Sequence, residues 1–155
     1  MKFVDRVTIS IAAGDGGRGC QAFTQPPYTR SPYPDGGDGG RGGDVVMLAD
    51  RNVATLLDFH FRHEFKAKRG GHGGSNNKTG ACGEDTTIRV PSGTMIFEAE
   101  TGLLVRDLSI SGESFIAGRG GAGGRGNANA LDASPGRLGE TRKLVLELKL
   151  IADVG

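Results

Sequence analysis

Apolar and polar positions alternate with a period of two over residues 3–11, FVDRVTISI. Phe3, Val7, Ile9 and Ile11 share one face and Arg6, Thr8 and Ser10 the other, with Asp5 out of phase on the apolar side. That alternation predicts a strand with one buried face, because successive side chains of an extended chain point to opposite sides. Shorter apolar and β-branched segments follow at 44–49 (DVVMLA), 86–90 (TTIRV), 94–98 (TMIFE), 103–108 (LLVRDL) and 114–117 (SFIA), and residues 141–151 (TRKLVLELKLI) alternate again. Turn residues separate them at Pro91, Ser92 and Gly93, and at Thr101 and Gly102. The stretch 53–58, VATLLD, fits a helical turn or a strand equally, since a short apolar run does not decide its own type. The expectation is one mainly β domain over residues 1–155.

Between these segments the period changes from two to three. Glycine runs occupy 14–19 (GDGGRG), 35–43 (DGGDGGRGG), 70–74 (GGHGG) and 118–126 (GRGGAGGRG), each phased as Gly-Gly-X. Glycine makes up 28 of the 155 residues, about two and a half times its usual share of about 7%. Such a composition suits a disordered chain, but every run is anchored by strand segments at both ends and keeps its phase. Three residues per turn is the repeat of a polyproline II helix, which makes no internal hydrogen bonds and needs partners outside itself. Glycine at two positions in three leaves two edges bare, so neighbouring runs can approach closely enough to bond. The glycines expected to be structural are Gly16, Gly17, Gly36, Gly37, Gly39, Gly40, Gly42, Gly43, Gly73, Gly74, Gly120, Gly121, Gly123 and Gly124. Collagen is excluded by the short runs and the six prolines.

Charge and candidate chemistry narrow the picture by exclusion. A formal net charge of +1 gives no overall field toward nucleic acid or membrane. Cys20 and Cys82 stand far apart, which suits free thiols in a reducing compartment. Asp5 and Arg6 interrupt what would be a signal-peptide core, and no apolar stretch is long enough to span a bilayer, so a cytoplasmic location is expected, with an organelle open. Gly14, Gly16 and Gly19 fit G-x-G-x-x-G after a strand, yet the same spacing recurs at Gly37, Gly39, Gly42 and at Gly118, Gly120, Gly123. Pro26, Pro27, Pro32 and Pro34 also forbid the helix that would hold a pyrophosphate. His60, His63, His72 and Cys82 make a poor zinc cage, and no catalytic constellation is suggested by spacing. No metal, nucleotide site or catalytic residue is expected in these residues.

The residues that interrupt the glycines carry more information. Arg18, Arg41, Arg69, Arg119 and Arg125 lie in or beside the runs, and Lys66, Lys68 and Lys78 flank the third. Guanidinium groups on a thin scaffold can reach phosphates in confined RNA clefts. Internal pairing with Asp15, Asp35, Asp38, Asp44 and Glu84 is an equal reading of the same residues.

The segments GDGGRGC, PDGGDGGRGGDV, GRGGAGGRGN and the closing LELKLIADVG, taken in order, closely resemble the N-terminal domain of the Obg GTPases over essentially the whole chain. The resemblance implies an Obg fold: a small β-barrel base carrying a bundle of glycine-rich polyproline II helices, ahead of a GTPase domain. It implies docking on the large ribosomal subunit, its rRNA and ribosomal proteins near the peptidyl transferase centre, in late assembly or stress control. GTP and Mg²⁺ are implied for the full-length parent. Carried onto this sequence, the rRNA-contact candidates are Arg18, Arg41, Arg69, Lys78, Arg119 and Arg125. Residues 24–34 are less basic than the family's stretch, and 127–134 is shorter and lacks its Arg and Lys, which implies weaker RNA contact there. The Gly-x-x-x-x-Gly-Lys-Ser/Thr loop is absent from the 155 residues, so neither GTP binding nor hydrolysis is expected of them. The competing reading is a protein-interaction module for a regulatory partner.

Overall fold

The computed structural model of the chain describes residues 2–27 and 31–151, with side chains over 5–27 and 31–148. The Phe3 side chain, residues 28–30 within the 24–34 stretch, and Ala152, Asp153, Val154 and Gly155 of the closing motif lie outside the described residues.

The period-two segments form two sheets around one core. The larger has the order β5-β1-β10-β7-β8 and uses Glu64–Lys66, Lys2–Ala12, Thr141–Ile151, Thr94–Glu98 and Leu104–Leu108. The smaller has the order β6-β4-β9, from Thr86–Val90, Val45–Ala49 and Ser114–Gly118. Val7, Ile9, Ile11, Leu144, Leu146, Leu148 and Ile96 of the larger sheet meet Val45, Met47, Ile88, Val90 and Ala117 of the smaller in a single buried cluster. Burial of each large side chain stabilises the fold by about 1.5–3 kcal/mol. The chirality of the turns is supplied where expected, with Gly93 at φ 93° and Gly102 at φ 72°.

Asp5 explains its own break in phase. Its Oδ2 accepts the Leu56 N–H at 3.2 Å and its Oδ1 lies 3.4 Å from His60 Nε2. The carboxylate thereby ties down the 53–61 segment, which is a turn followed by the one-turn helix α1, Asp58–Phe61. Leu56 and Phe59, three apart, both enter the core, so the ambiguous stretch is not a strand: 53–55 have no regular structure, 56–57 turn, and the helix starts at its last residue, Asp58.

The barrel expected from the resemblance is corrected. Among the described residues neither sheet closes: β5 and β8 are free edges of one, β6 and β9 of the other. Closure needs an unbroken ladder, whereas here the two sheets face each other as open layers and their strands run on into glycine runs. Two elements carry too few residues for an alternation signal. One is β5, parallel to β1; the other is the two-residue ribbon of β2 (Phe23–Thr24) and β3 (Tyr33–Pro34).

Each sheet continues into three runs, which bond to one another. From the larger sheet come 13–20 after β1, 67–74 after β5 and 134–140 before β10; from the smaller, 35–44 before β4, 78–85 before β6 and 118–127 after β9. The bonds repeat every third residue. Gly14, Gly17 and Cys20 N–H groups donate to the carbonyls of Gly43, Gly40 and Gly37, and Ala13, Gly16 and Gly19 to those of Glu140, Arg137 and Ser134. Gly70 and Gly73 donate to Asp15 and Arg18, and Gly121 and Gly124 to Gly14 and Gly17. Runs 13–20 and 35–44 therefore each have four bonded neighbours, while 78–85 and 134–140 have two. Neighbours joined in a sheet remain neighbours here, and further bonds cross between the layers.

Candidate functional site

Glycine density follows the number of neighbours. At every glycine expected to be structural except Gly74, an added Cβ would lie well under 3.0 Å from a neighbouring carbonyl oxygen; at Gly74 it would meet the Lys78 side chain at 3.4 Å, an ordinary contact. The glycine hydrogens fill those positions, giving weak Cα–H···O contacts in place of clashes. The peripheral runs need only one bare position in three: Gly80 and Gly83, and Gly136 and Gly139, are equally tight against Gly71, Lys68, Gly16 and Ala13 carbonyls. These two runs were not expected from the sequence, although the G-x-x-G spacing is the signal that marks them.

Third positions of the triplets mostly face outward, apart from buried Asp35 and Asp44 at the ends of one run, and there the basic residues sit. Arg18, Arg41, Arg69, Lys78, Arg119 and Arg125 are all exposed. Arg119, Arg69 and Arg41 lie within a few residues of the sheets, while Arg18, Arg125 and Lys78 lie toward the far end. Internal pairing claims Arg41: its Nη2 is 2.8 Å from Asp44 Oδ1, an oxygen that also accepts the Gly120 N–H at 2.7 Å. Of the other acids close to the runs, Glu84 pairs with Lys68 at 3.8 Å, and Asp15, Asp38 and Glu140 accept backbone N–H groups. Asp15 Oδ1 accepts Gly139 N–H at 2.8 Å and Glu140 Oε1 accepts Arg119 N–H at 3.1 Å. Among the described residues the other five candidates have no carboxylate within ion-pair distance.

Two buried polar residues lock the far end. Asn127 is 2% exposed; its Oδ1 accepts the N–H groups of Gly36 (2.8 Å) and Ala22 (3.3 Å) while its Nδ2 donates to the Ala22 carbonyl (2.9 Å). Asp35, 1% exposed, accepts from the Thr24 hydroxyl and from Asn76 N–H, and Asn76 and Asn77 make their turn at φ 59° and 58°. Both residues thus pin the chain where it reverses, at 20–35, 74–78 and 126–134.

Asp38 adds a pH dependence. The Gly126 N–H, at 2.8 Å, holds its carboxyl below the ordinary value of about 3.8; the Asn129 amide and nearby Arg125 push the same way, against desolvation. A carboxyl depressed in the folded state contributes stability above its unfolded value and loses it as the pH falls through the folded one. Asp38→Asn is therefore expected to flatten the loss of stability below about pH 4, read as urea midpoints at pH 3 and pH 6; an unaltered acid limb would show the carboxylate to be inert.

Two of the three histidines weighed as zinc ligands make other contacts. His60 faces Asp5, and His72 Nδ1 accepts the Arg18 N–H at 3.0 Å. At the G-x-G-x-x-G spacings the N–H groups of Gly14, Gly16, Gly19, Gly37, Gly39 and Gly42 donate to neighbouring carbonyls and that of Gly120 to Asp44 Oδ1, so they are not aimed at a nucleotide phosphate.

The GTP1/OBG family model matches residues 4–150. The proteins named GTPase Obg of Persephonella marina and Syntrophotalea carbinolica are 47% and 48% identical over 163 aligned residues, covering 100% of this chain and 48% and 46% of theirs. That of Sulfurihydrogenibium sp. is 47% identical over 161, covering 99% and 46%. The chain spans about half the length of these curated relatives.

Proposed function

The chain belongs to the GTP1/OBG family, and on that premise we propose that residues 1–155 form one Obg domain whose six bonded runs are polyproline II helices that dock it on the large ribosomal subunit. The observation that carries this reading is the pairing of a stiff, side-chain-poor shaft with outward basic groups that lack acidic partners. A flexible loop loses conformational freedom when it enters a cleft. A shaft already tied by carbonyl bonds has little left to lose. Arg18, Arg69, Lys78, Arg119 and Arg125 are the proposed rRNA contacts near the peptidyl transferase centre, with ribosomal proteins alongside. Late subunit assembly and stress control are the proposed settings, in the cytoplasm. No described helix is long and apolar enough to cross a membrane.

GTP hydrolysis and Mg²⁺ are proposed for the whole protein through the relatives' name. The residues present do not fit those groups, because the Gly14, Gly16 and Gly19 N–H groups are spent on neighbouring carbonyls and no Gly-x-x-x-x-Gly-Lys-Ser/Thr loop occurs in the sequence. No step of hydrolysis is assigned to them.

Five phosphates neutralised predict a slope of log K against log salt of about −3.5 to −4.5, measured by cosedimentation with purified large subunits at several salt concentrations. A slope near zero would remove the arginines from docking. Retention of a protein partner after RNase treatment, with no subunit binding, would favour the interaction-module reading. Asp44→Asn keeps an acceptor for Gly120 while releasing Arg41, so the slope is expected to steepen by about 0.7–0.9; an unchanged slope would show that Arg41 does not reach a phosphate even when freed.

A further inference from the structure

His72 and Arg69 present a donor conflict that an anion resolves. Arg69 and His72 are three apart on the 67–74 run, so the triplet repeat sets them on one edge. Arg18 faces them from the 13–20 run, whose carbonyl accepts the Gly73 N–H at 2.8 Å. The Arg18 backbone N–H points at His72 Nδ1, 3.0 Å away. That nitrogen must offer its lone pair, which puts the ring proton of the neutral imidazole on Nε2. Nε2 lies 3.3 Å from Arg69 Nη2. Guanidinium has no acceptor, so the 3.3 Å approach sets two N–H donors side by side.

We propose that this pair, on the run bonded to the Arg18 backbone, holds one backbone phosphate of the docked RNA; the proposal rests on the rRNA-docking reading and names a contact within it. A phosphate oxygen accepts from both Nε2–H and the Arg69 fork, turning a donor–donor repulsion into two charge-assisted hydrogen bonds. Neither Arg18 nor Arg69 has a carboxylate within ion-pair distance among the described residues, and the Asp15 carboxylate on the same run as Arg18 is taken by Gly139. His72 and Arg18 also line a cleft of about 640 Å³ with Gln21, Ser134 and Asp132, within the range of about 300–1,000 Å³ typical of small-ligand clefts. Asp132 repels an anion from that cleft, which leaves the phosphate at the Arg69–His72 Nε2 pair and the cleft for the neighbouring sugar.

The tests separate this contact from docking as a whole. In the 155-residue chain, nitrogen-15 NMR is expected to show His72 as the Nε2–H tautomer, and titration with inorganic phosphate to shift His72 Nε2 and the Arg69 guanidinium together. The Nδ1–H tautomer, or no phosphate-dependent shift, would overturn the proposal. His72→Asn sets an amide oxygen where Nδ1 accepts but removes the Nε2 donor. It is expected to keep the melting temperature while weakening large-subunit binding about tenfold. Arg69→Gln, which removes a charge, is expected to reduce the salt slope by about one unit. Wild-type binding with both variants indistinguishable from it would sink the phosphate contact and leave the docking reading standing. No subunit binding by the wild type would sink docking, while the phosphate titration still decides the local site.

Discussion

Gly39→Ala is expected to lower the melting temperature by about 6–12 °C, while Gly74→Ala leaves it unchanged or slightly higher. The added carbon is identical; only its surroundings differ. At Gly39 it would drive into the Gly17 carbonyl, with Arg18 backbone behind it and no flexible side chain to yield. Relief requires runs 13–20 and 35–44 to separate, at the expense of Gly17 N–H to Gly40 and Gly39 N–H to Gly124, both 2.8 Å. Overpacking of this kind costs about 1–3 kcal/mol, and the weakened bonds bring the sum to about 3 kcal/mol, which converts to the stated shift at about 2–4 °C per kcal/mol. At Gly74 the new methyl only touches Lys78 carbons, and alanine's stiffer unfolded chain favours folding by about 0.4–1 kcal/mol. Calorimetry on both variants settles the matter. Equal melting at Gly39 and in the parent would mean that the runs are loosely held.

Asn127→Leu is expected to lose about 3 kcal/mol or more. Leucine resembles asparagine in shape but strands two backbone N–H groups, those of buried Gly36 and half-buried Ala22, at about 1–3 kcal/mol each, while the Ala22 carbonyl keeps the Asp35 N–H. Asn127→Asp should fall between, since a carboxylate still accepts both N–H groups but sets an oxygen against the Ala22 carbonyl. Hydrogen exchange localises the effect: amides of Ala22 and Gly36 should lose protection before those of the core strands. Unchanged exchange at both amides would show that other groups hold the reversal.

Much of this architecture was legible because two repeats with different causes alternate along the chain. Period two revealed β1 and β10, and period three revealed the runs with three or four neighbours. The peripheral runs escaped because a run with two neighbours tolerates Ala81, Cys82, Arg137 and Leu138 where a central run demands glycine. Closure of the sheets was also hidden, since it depends on which edges meet and not on any one strand's pattern. At the site, residue type was legible and pairing was not. Arg41 and Asp44 meet because three residues is one repeat, which spacing could have shown. Arg18 and His72 are brought together because β1 and β5, far apart in sequence, pair in one sheet, and nothing local announces that the histidine is an acceptor for another run's backbone.

The absence of bonds within any single run has a kinetic consequence. A helix can start locally and grow, but here the Ala13 N–H finds its acceptor at Glu140 and Gly14 at Gly43, so apart from the hairpin-like pairs of 67–74 with 78–85 and of 118–127 with 134–140, the shaft gains little until distant stretches have arrived. Glycine-rich segments also have the most freedom to surrender. Assembly should therefore be slow, dominated by nonlocal closure, and should follow the sheets, which hold six chain ends side by side. Stopped-flow refolding is expected to show strand ellipticity returning first and shaft amide protection in one later, cooperative phase.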